Sequence, residues 1–96
     1  MKMARHALLI LVGNRKAAAV DVQKTLTAWG CLIKIRLGIH DGVLTDCSEK
    51  GLIFCELVGD DDKRNELTRK LNLIKGVCAR QITLDLDQDQ EDEEEE

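Results

Sequence analysis

Hydrophobic and polar residues along this chain fall into blocks that predict four strands and two helices. Residues 5–12 form an apolar run that ends at Gly13, and both alternating faces of the run are apolar. A short run of this kind predicts a strand that is buried on both sides. Residues 52–58, around Phe54, are also largely apolar on both faces, so they predict a strand of the same character.

The second predicted strand alternates cleanly between apolar and polar residues, and the fourth carries polar residues among apolar ones. In residues 32–40 one face carries four aliphatic side chains and the other is polar or small: Ile33, Ile35, Leu37 and Ile39 against Lys34, Arg36, Gly38 and His40. In residues 77–86 the two sets are Cys78, Arg80, Ile82 and Leu84 against Val77, Ala79, Gln81 and Thr83. Alternation of this kind predicts half-buried strands.

Helical spacing appears in the two segments between these strands. Residues 15–29 follow Asn14, a good N-cap, and carry an apolar stripe of Ala19, Val22, Leu26 and Trp29. Gly30 is predicted to end this helix in the left-handed conformation. Residues 63–75 follow three aspartates that favour a helix N-terminus, and Gly76 is predicted to end the second helix.

The order strand, helix, strand, strand, helix, strand predicts an α+β, ferredoxin-like βαββαβ sandwich. Right-handed crossovers give an antiparallel sheet of order 4-1-3-2 with both helices on one face. The first and third strands are then central, which agrees with their two apolar faces. Their second face needs a cover, and we expect a second copy of the chain to provide it in a dimer or tetramer.

Charge divides the chain into two parts. Residues 1–84 carry 14 lysines and arginines against nine acidic residues, whereas residues 85–96 carry nine acidic groups. We therefore expect one folded domain over residues 1–84 and an acidic tail over residues 85–96 that is disordered. An alternative role for the tail is to screen a basic face or to compete with an anionic ligand.

The four cysteines are spaced irregularly, with no C-x-x-C pair. The apolar run of residues 7–12 is too short for a membrane span or the core of a signal peptide. We therefore expect a cytoplasmic protein with reduced thiols and no membrane association. Cys31, Cys55 and Cys78 are predicted to be buried core or strand residues.

The chain resembles the small ACT-like proteins known as iron-only hydrogenase system regulators, whose fold is akin to the C-terminal domain of nickel-responsive regulators. The resemblance spans residues 5–83. It is carried by an apolar first strand with a polar turn, by residues 36–39, and by the second helix and its exit, at Leu67, Lys70, Leu71, Ile74, Gly76 and Val77. It implies an oligomeric regulatory module that binds a small effector, and a role in transcription of an iron-only hydrogenase system.

In ACT-like domains generally, effectors lie between subunits, where the loop after the first strand meets a neighbour's sheet edge. The resemblance places that loop at Gly13-Asn14-Arg15 and the facing positions at Arg36, Gly38 and His40. A glycine lets a backbone approach a ligand, and helix-start amides with an arginine favour a carboxylate or phosphate. In the alternative interpretation, Gly13 and Asn14 only turn and cap the chain. No cofactor is identified.

Metal and nucleic-acid binding are not expected. His40 and Cys47 are the only local pair with suitable ligand atoms, and two ligands are too few for a site, while His6 is isolated. Only four residues precede the first strand, so we expect no DNA-reading segment and no direct nucleic-acid binding. A regulator of transcription would then act through another protein.

Two other functions compete with the effector-binding interpretation. The first is a structural or protein-interaction module that binds another polypeptide through its sheet face and tail. The second is an acylphosphatase-like enzyme, which Asn14 and Arg15 match by residue type, although the glycine-rich phosphate loop is missing. No Ser-His-Asp arrangement indicates nucleophilic catalysis, and we expect no enzymatic activity.

Overall fold

The computed structural model describes residues 3–13, 16–40 and 51–86, and its elements follow the predicted order. Among these residues no helix is long and apolar enough to cross a membrane. The strands and helices are β1 (Ala4–Val12), α1 (Lys16–Ala28), β2 (Ile33–His40), β3 (Gly51–Leu57), α2 (Asp61–Asn72) and β4 (Val77–Asp85).

The four strands form one antiparallel sheet of order β2-β3-β1-β4, which confirms the predicted order 4-1-3-2. Strand β1 pairs with β3 from His6 to Val12 on one side and with β4 along its whole length on the other, so that Leu9 lies opposite both Phe54 and Arg80. The two central strands are the two whose sequences are apolar on both faces. This agrees with the rule that a central strand is packed against other groups on both sides.

The core lies between the sheet and the two helices, which cover one face. Alternate residues of the central strands point into it, and Leu8, Ile10 and Cys55 are completely buried. From α1 the predicted stripe contributes Val22 and Leu26, with further contacts from partly buried Ala19 and Trp29, so the predicted face of this helix is confirmed. Two leucines of α2, Leu67 and Leu71, complete the core.

The start of α2 agrees with the prediction, whereas the C-terminal ends of both helices do not. Asp60 caps α2, since its side chain accepts a hydrogen bond from the backbone N–H of Lys63 at 2.9 Å. Gly76 has a φ of 87° and lies in the turn before β4, but α2 already ends at Asn72 with Leu73 as its C-cap, so the prediction that Gly76 ends this helix was wrong. The prediction for Gly30 was wrong: its φ is not left-handed, and it begins a 3₁₀ turn, Gly30–Leu32, that leads into β2.

Strand β2 contains an irregularity that the alternation did not predict. The register with β3 shifts between Ile33, which lies opposite Leu57, and Ile35, which lies opposite Glu56. A bulge inserts one residue and turns every later side chain to the other face. The prediction of four isoleucine and leucine side chains on one face was therefore wrong, because Ile33 packs against the core whereas Ile35 and Leu37 are exposed on the opposite face.

The prediction that three cysteines are buried holds for one of them. Cys55 lies in the core between the sheet and the helices, and burial raises the pKa of its thiol. Cys31 is exposed in the 3₁₀ turn, and Cys78 is exposed on the side of β4 that faces away from the helices. Cys78 is thus a strand residue as predicted, but it is exposed because no other layer covers its face of β4, and Cys31 is neither in the core nor in a strand.

Candidate functional site

The candidate site lies at one end of the sheet, where β1 and β2 finish and β4 begins. Val12 lies opposite Gly51 on one side and Val77 on the other, and His40 also lies opposite Gly51. Because neighbouring strands are about 4.8 Å apart, the Cα atoms of Val12 and His40 are separated by about 10 Å. The residue that follows β1, Gly13, therefore shares this end of the sheet with the end of β2.

Gly13 is held against Gly76 by a close backbone contact. The Gly13 N–H donates to the Gly76 carbonyl at 2.8 Å, and a Cβ at residue 13 would lie only 3.2 Å from that oxygen. The glycine is thus explained by packing, and its amide already has an acceptor within the chain. From the sequence, Gly76 was predicted only as the end of the second helix. Its contact with Gly13 depends on the tertiary fold.

Arg36 and Gly38 lie on the helix-facing side of β2 as a result of the bulge, opposite Cys55 and Ile53 respectively. Both are exposed, because β2 is an edge strand. A Cβ at Gly38 would meet nothing within 4 Å, so packing within the chain does not require a glycine there. The positive charge of Arg36 opposes the rise in the pKa of the Cys55 thiol that burial causes.

The other predicted site residues are only partly covered by the structure. Asn14, Arg15 and Cys47 lie outside the described residues, and for His40 the structure gives only its place at the end of β2. The loop site and the weak His40–Cys47 pair therefore stay predictions. Within residues 3–13, 16–40 and 51–86, no group of three histidine, cysteine, aspartate or glutamate side chains could hold a metal ion.

A second candidate surface is the face of the sheet that carries no helix, called the open face below. Five of its hydrophobic side chains are each about half or more exposed: Leu11, Ile35, Leu37, Ile82 and Leu84. By the strand register, the remaining described positions of this face are Arg5, Ala7, Leu9, Leu52, Phe54, Glu56, Cys78 and Arg80. The apolar side chains adjoin one another across all four strands.

One ion pair lies on the open face, between Arg5 of β1 and Glu56 of β3. The Arg5 guanidinium bonds both carboxylate oxygens of Glu56 through Nε and Nη2, with an Nη2–Oε1 distance of 2.6 Å. Glu56 is buried, with 8% of its surface exposed, although it lies on the uncovered face. The bond from Arg5 lowers the pKa of the Glu56 carboxyl and outweighs the opposing effect of its burial. The two residues are 51 positions apart, so no local pattern indicates the pair.

No family model and no curated protein matches this chain. Several solved structures are similar to it. An uncharacterized protein from Thermotoga maritima, TM1266, is 28% identical over 88% of this chain and 99% of its own, with a TM-score of 0.72.

Two further structures are similar in fold at much lower identity. The ACT domain from the GTP pyrophosphokinase of Chlorobium tepidum is 12% identical, with a TM-score of 0.59 over 85% of this chain and all of that domain. CPII from Thiomonas intermedia K12, with bound ADP, AMP and acetate, is 11% identical, with a TM-score of 0.52 over 88% and 90% of the two chains. The chain therefore has the ferredoxin-like fold found in ACT-domain and PII-like proteins.

Proposed function

We propose that this chain is a regulatory module that binds a small-molecule effector and acts as a homo-oligomer, paired through its open face. The observation that carries the proposal is the open face itself, where Leu11, Leu37 and Leu84 are each more than half exposed on one side of the sheet. Continuous apolar patches of this size are unusual on monomers and are typical of interaction surfaces.

The dimensions of the open face suit a second copy of the chain. Four strands about 4.8 Å apart, each about seven residues long with a rise of about 3.4 Å, give a surface of roughly 450 Å² in projection. The accessible area of protruding side chains exceeds this projection. For comparison, a standard protein interface buries roughly 800 Å² per partner.

The fold supports the effector-binding part of the proposal. CPII, which shares the fold, is named a nitrogen regulatory PII-like protein and was solved with ADP, AMP and acetate. In our proposal the effector lies at the end of the sheet, against Gly13-Asn14-Arg15, with Arg36, Gly38 and His40 contributed across a subunit contact. Arg15 and Arg36 would each bind an anionic group, a carboxylate or a phosphate, through paired N–H donors.

A finer proposal comes from the sequence resemblance alone. The module would act in the cytoplasm on transcription of an iron-only hydrogenase system, through another protein that contacts DNA. Deleting the gene in its native host tests this directly: hydrogenase transcripts should change at least several-fold relative to those of unrelated operons. Unchanged transcripts under hydrogenase-inducing conditions would contradict the role in transcription and leave effector binding to be tested by itself.

Effector binding is tested with ADP, AMP and acetate as probes, measured by isothermal titration calorimetry. We expect at least one of them to bind, and we expect the Arg15→Ala/Arg36→Ala variant to lose at least about tenfold in affinity, because two charge-assisted contacts are removed. Gly13 stays unchanged in this variant, since a side chain there would press on the Gly76 carbonyl.

The matched control is Arg69→Ala, which removes an exposed arginine on α2 that is paired with Glu66. It should bind the probe like the wild type. Native mass spectrometry of protein purified without added metal gives the subunit number and any retained small molecule in the same measurement. Equal probe affinity in the wild type and the Arg15→Ala/Arg36→Ala variant would refute the proposed loop site. A monomer that retains no small molecule and binds none of the three probes would refute the proposed effector-binding oligomer.

A further inference from the structure

The open face contains a shallow concavity of about 480 Å³ toward the β4 edge. Its volume is within the range of small-molecule sites, which are mostly apolar with a few polar groups that fix orientation. The side chains of the open face that line it come from three strands: Leu9, Leu11, Leu52, Cys78, Arg80 and Ile82. The concavity thus combines an aliphatic floor with one guanidinium group at its side.

The charge of Arg80 is not balanced on the open face. Within the described residues, none of the ion pairs or side-chain hydrogen bonds includes Arg80. Glu56 is the only acidic residue among the described positions of this face, and both of its oxygens are bonded to Arg5. Among the described residues, Arg80 is therefore an exposed cation that lies beside aliphatic side chains and has no carboxylate partner.

The described residues of a second copy laid on the open face would not supply the missing charge. That copy would bring the same residues: another Arg80 and another Glu56 that is already bonded to its own Arg5. Covering Arg80 without a counter-charge removes an unpaired cation from water, which strongly opposes association. The assembly proposed above is therefore favoured when an anion other than these described residues pairs with Arg80.

We propose that the concavity binds a small organic anion with an apolar body, whose carboxylate pairs with Arg80 and whose hydrocarbon part lies on Leu9, Leu11 and Ile82. The second copy encloses this anion, so binding of the anion promotes self-association. Its lining residues differ from those proposed for the loop site after β1, and it rests on the proposed function only in requiring the face-to-face assembly. Carboxylate recognition suits an arginine, because its planar donors match both oxygens.

The experiment uses octanoate as the probe. Acetate, which has the carboxylate without the long chain, and 1-octanol, which has the chain without the carboxylate, are the comparison ligands. Calorimetry measures affinity, and sedimentation velocity measures the fraction of the protein that is associated. Octanoate should bind at least about tenfold more tightly than acetate or octanol and should increase the associated fraction. Arg80→Leu should weaken octanoate binding at least about tenfold, Arg80→Lys should retain part of it, and Arg69→Leu should bind like the wild type.

The contrary outcomes separate this inference from the proposed function. Equal octanoate affinity in the wild type and Arg80→Leu would overturn the site, and so would acetate binding as tightly as octanoate. An oligomer whose associated fraction does not change when octanoate is added would overturn the inference but leave the proposed assembly in place. A protein that remains a monomer with and without octanoate would overturn the assembly, and with it the enclosed site, while ADP or AMP binding at the loop could still be observed.

Discussion

At the scale of single residues, Glu56 shows how a carboxylate is kept in an apolar surface. Its side chain is flanked by apolar residues of the open face, and its charge is matched by the bonds from Arg5. These bonds lower the pKa of the carboxyl. Because both oxygens of Glu56 are bonded to Arg5, no described acidic residue of the open face is left to pair with Arg80.

The lowered pKa predicts a specific dependence of stability on pH. A carboxyl whose pKa is lower in the folded protein stabilises the fold above its ordinary pKa of about 4.3. That stabilisation is lost as the pH falls from there through the lowered value. Thermal unfolding between pH 2 and 7 should therefore show a lower melting temperature for Glu56→Gln at neutral pH and a smaller decrease on acidification than for the wild type.

The control for this comparison is Asp21→Asn, the same kind of change at an exposed position of α1. Its melting temperature should follow the wild-type curve closely. Parallel curves for the wild type and Glu56→Gln across the acidic range would mean that the Arg5–Glu56 pair does not contribute to the acid dependence of stability.

At the scale of elements, the two edge strands are protected in different ways. The side chain of Asn72, at the end of α2, accepts from the Ala79 N–H at 2.8 Å and donates to the Ala79 carbonyl at 2.9 Å. It thereby occupies the N–H and C=O groups of Ala79 that another strand could otherwise pair with. Strand β2 instead carries Lys34 and Arg36 and a bulge, which are common means of discouraging edge-to-edge pairing.

We expect Asn72→Ala to lower the free energy of unfolding by about 1–3 kcal/mol, because Ala79 is buried and would lose both hydrogen-bond partners. Urea denaturation at neutral pH measures this change. Asn72→Asp keeps the acceptor but places a carboxylate oxygen against the Ala79 carbonyl, so it should not restore stability. If Asn72→Ala unfolds at the same urea concentration as the wild type, the pair of bonds has no net effect.

The bulge in β2 shows why side-chain alternation predicted that strand only in part. The four aliphatic residues at alternate positions are compatible with one continuous face, and nothing local distinguishes that arrangement from one with an inserted residue. The register shift between Ile33 and Ile35 is decided by pairing with β3. It has a functional consequence, since it adds Ile35 and Leu37 to the open face and removes Arg36 and Gly38 from it.

At the scale of the whole molecule, the open face predicts how assembly should respond to charge. Phe54 lies near its middle, opposite Leu9 on β1 and Leu37 on β2. Phe54→Asp should shift the protein to a monomer, because burying a charge in an apolar interface costs several kcal/mol. Leu37→Asp, at a more exposed position of the same face, should have the same effect.

Val20→Asp is the matched control, since Val20 is 46% exposed on α1, away from the open face. Sedimentation velocity gives the mass of each variant, and circular dichroism confirms that each is folded. An unchanged mass for folded Phe54→Asp and Leu37→Asp would place the subunit contact elsewhere on the molecule.

The sequence by itself determined the order of elements, the sheet order, the helix faces and the presence of an uncovered apolar sheet face. These follow from local periodicity, from apolar content and from the small number of allowed connections between strands. The loop site around Gly13 stays a prediction from resemblance, and the structure adds that Gly13 itself is explained by its contact with Gly76.

Only the tertiary structure decided the bulge in β2, the Asn72–Ala79 bonds, the Arg5–Glu56 pair and the unbalanced charge of Arg80. Each of these depends on which residues of separate segments lie opposite one another. Arg5 and Glu56, for example, are 51 residues apart and meet because β1 and β3 pair in one register. Composition and periodicity specify what each segment prefers, whereas register specifies which side chains meet.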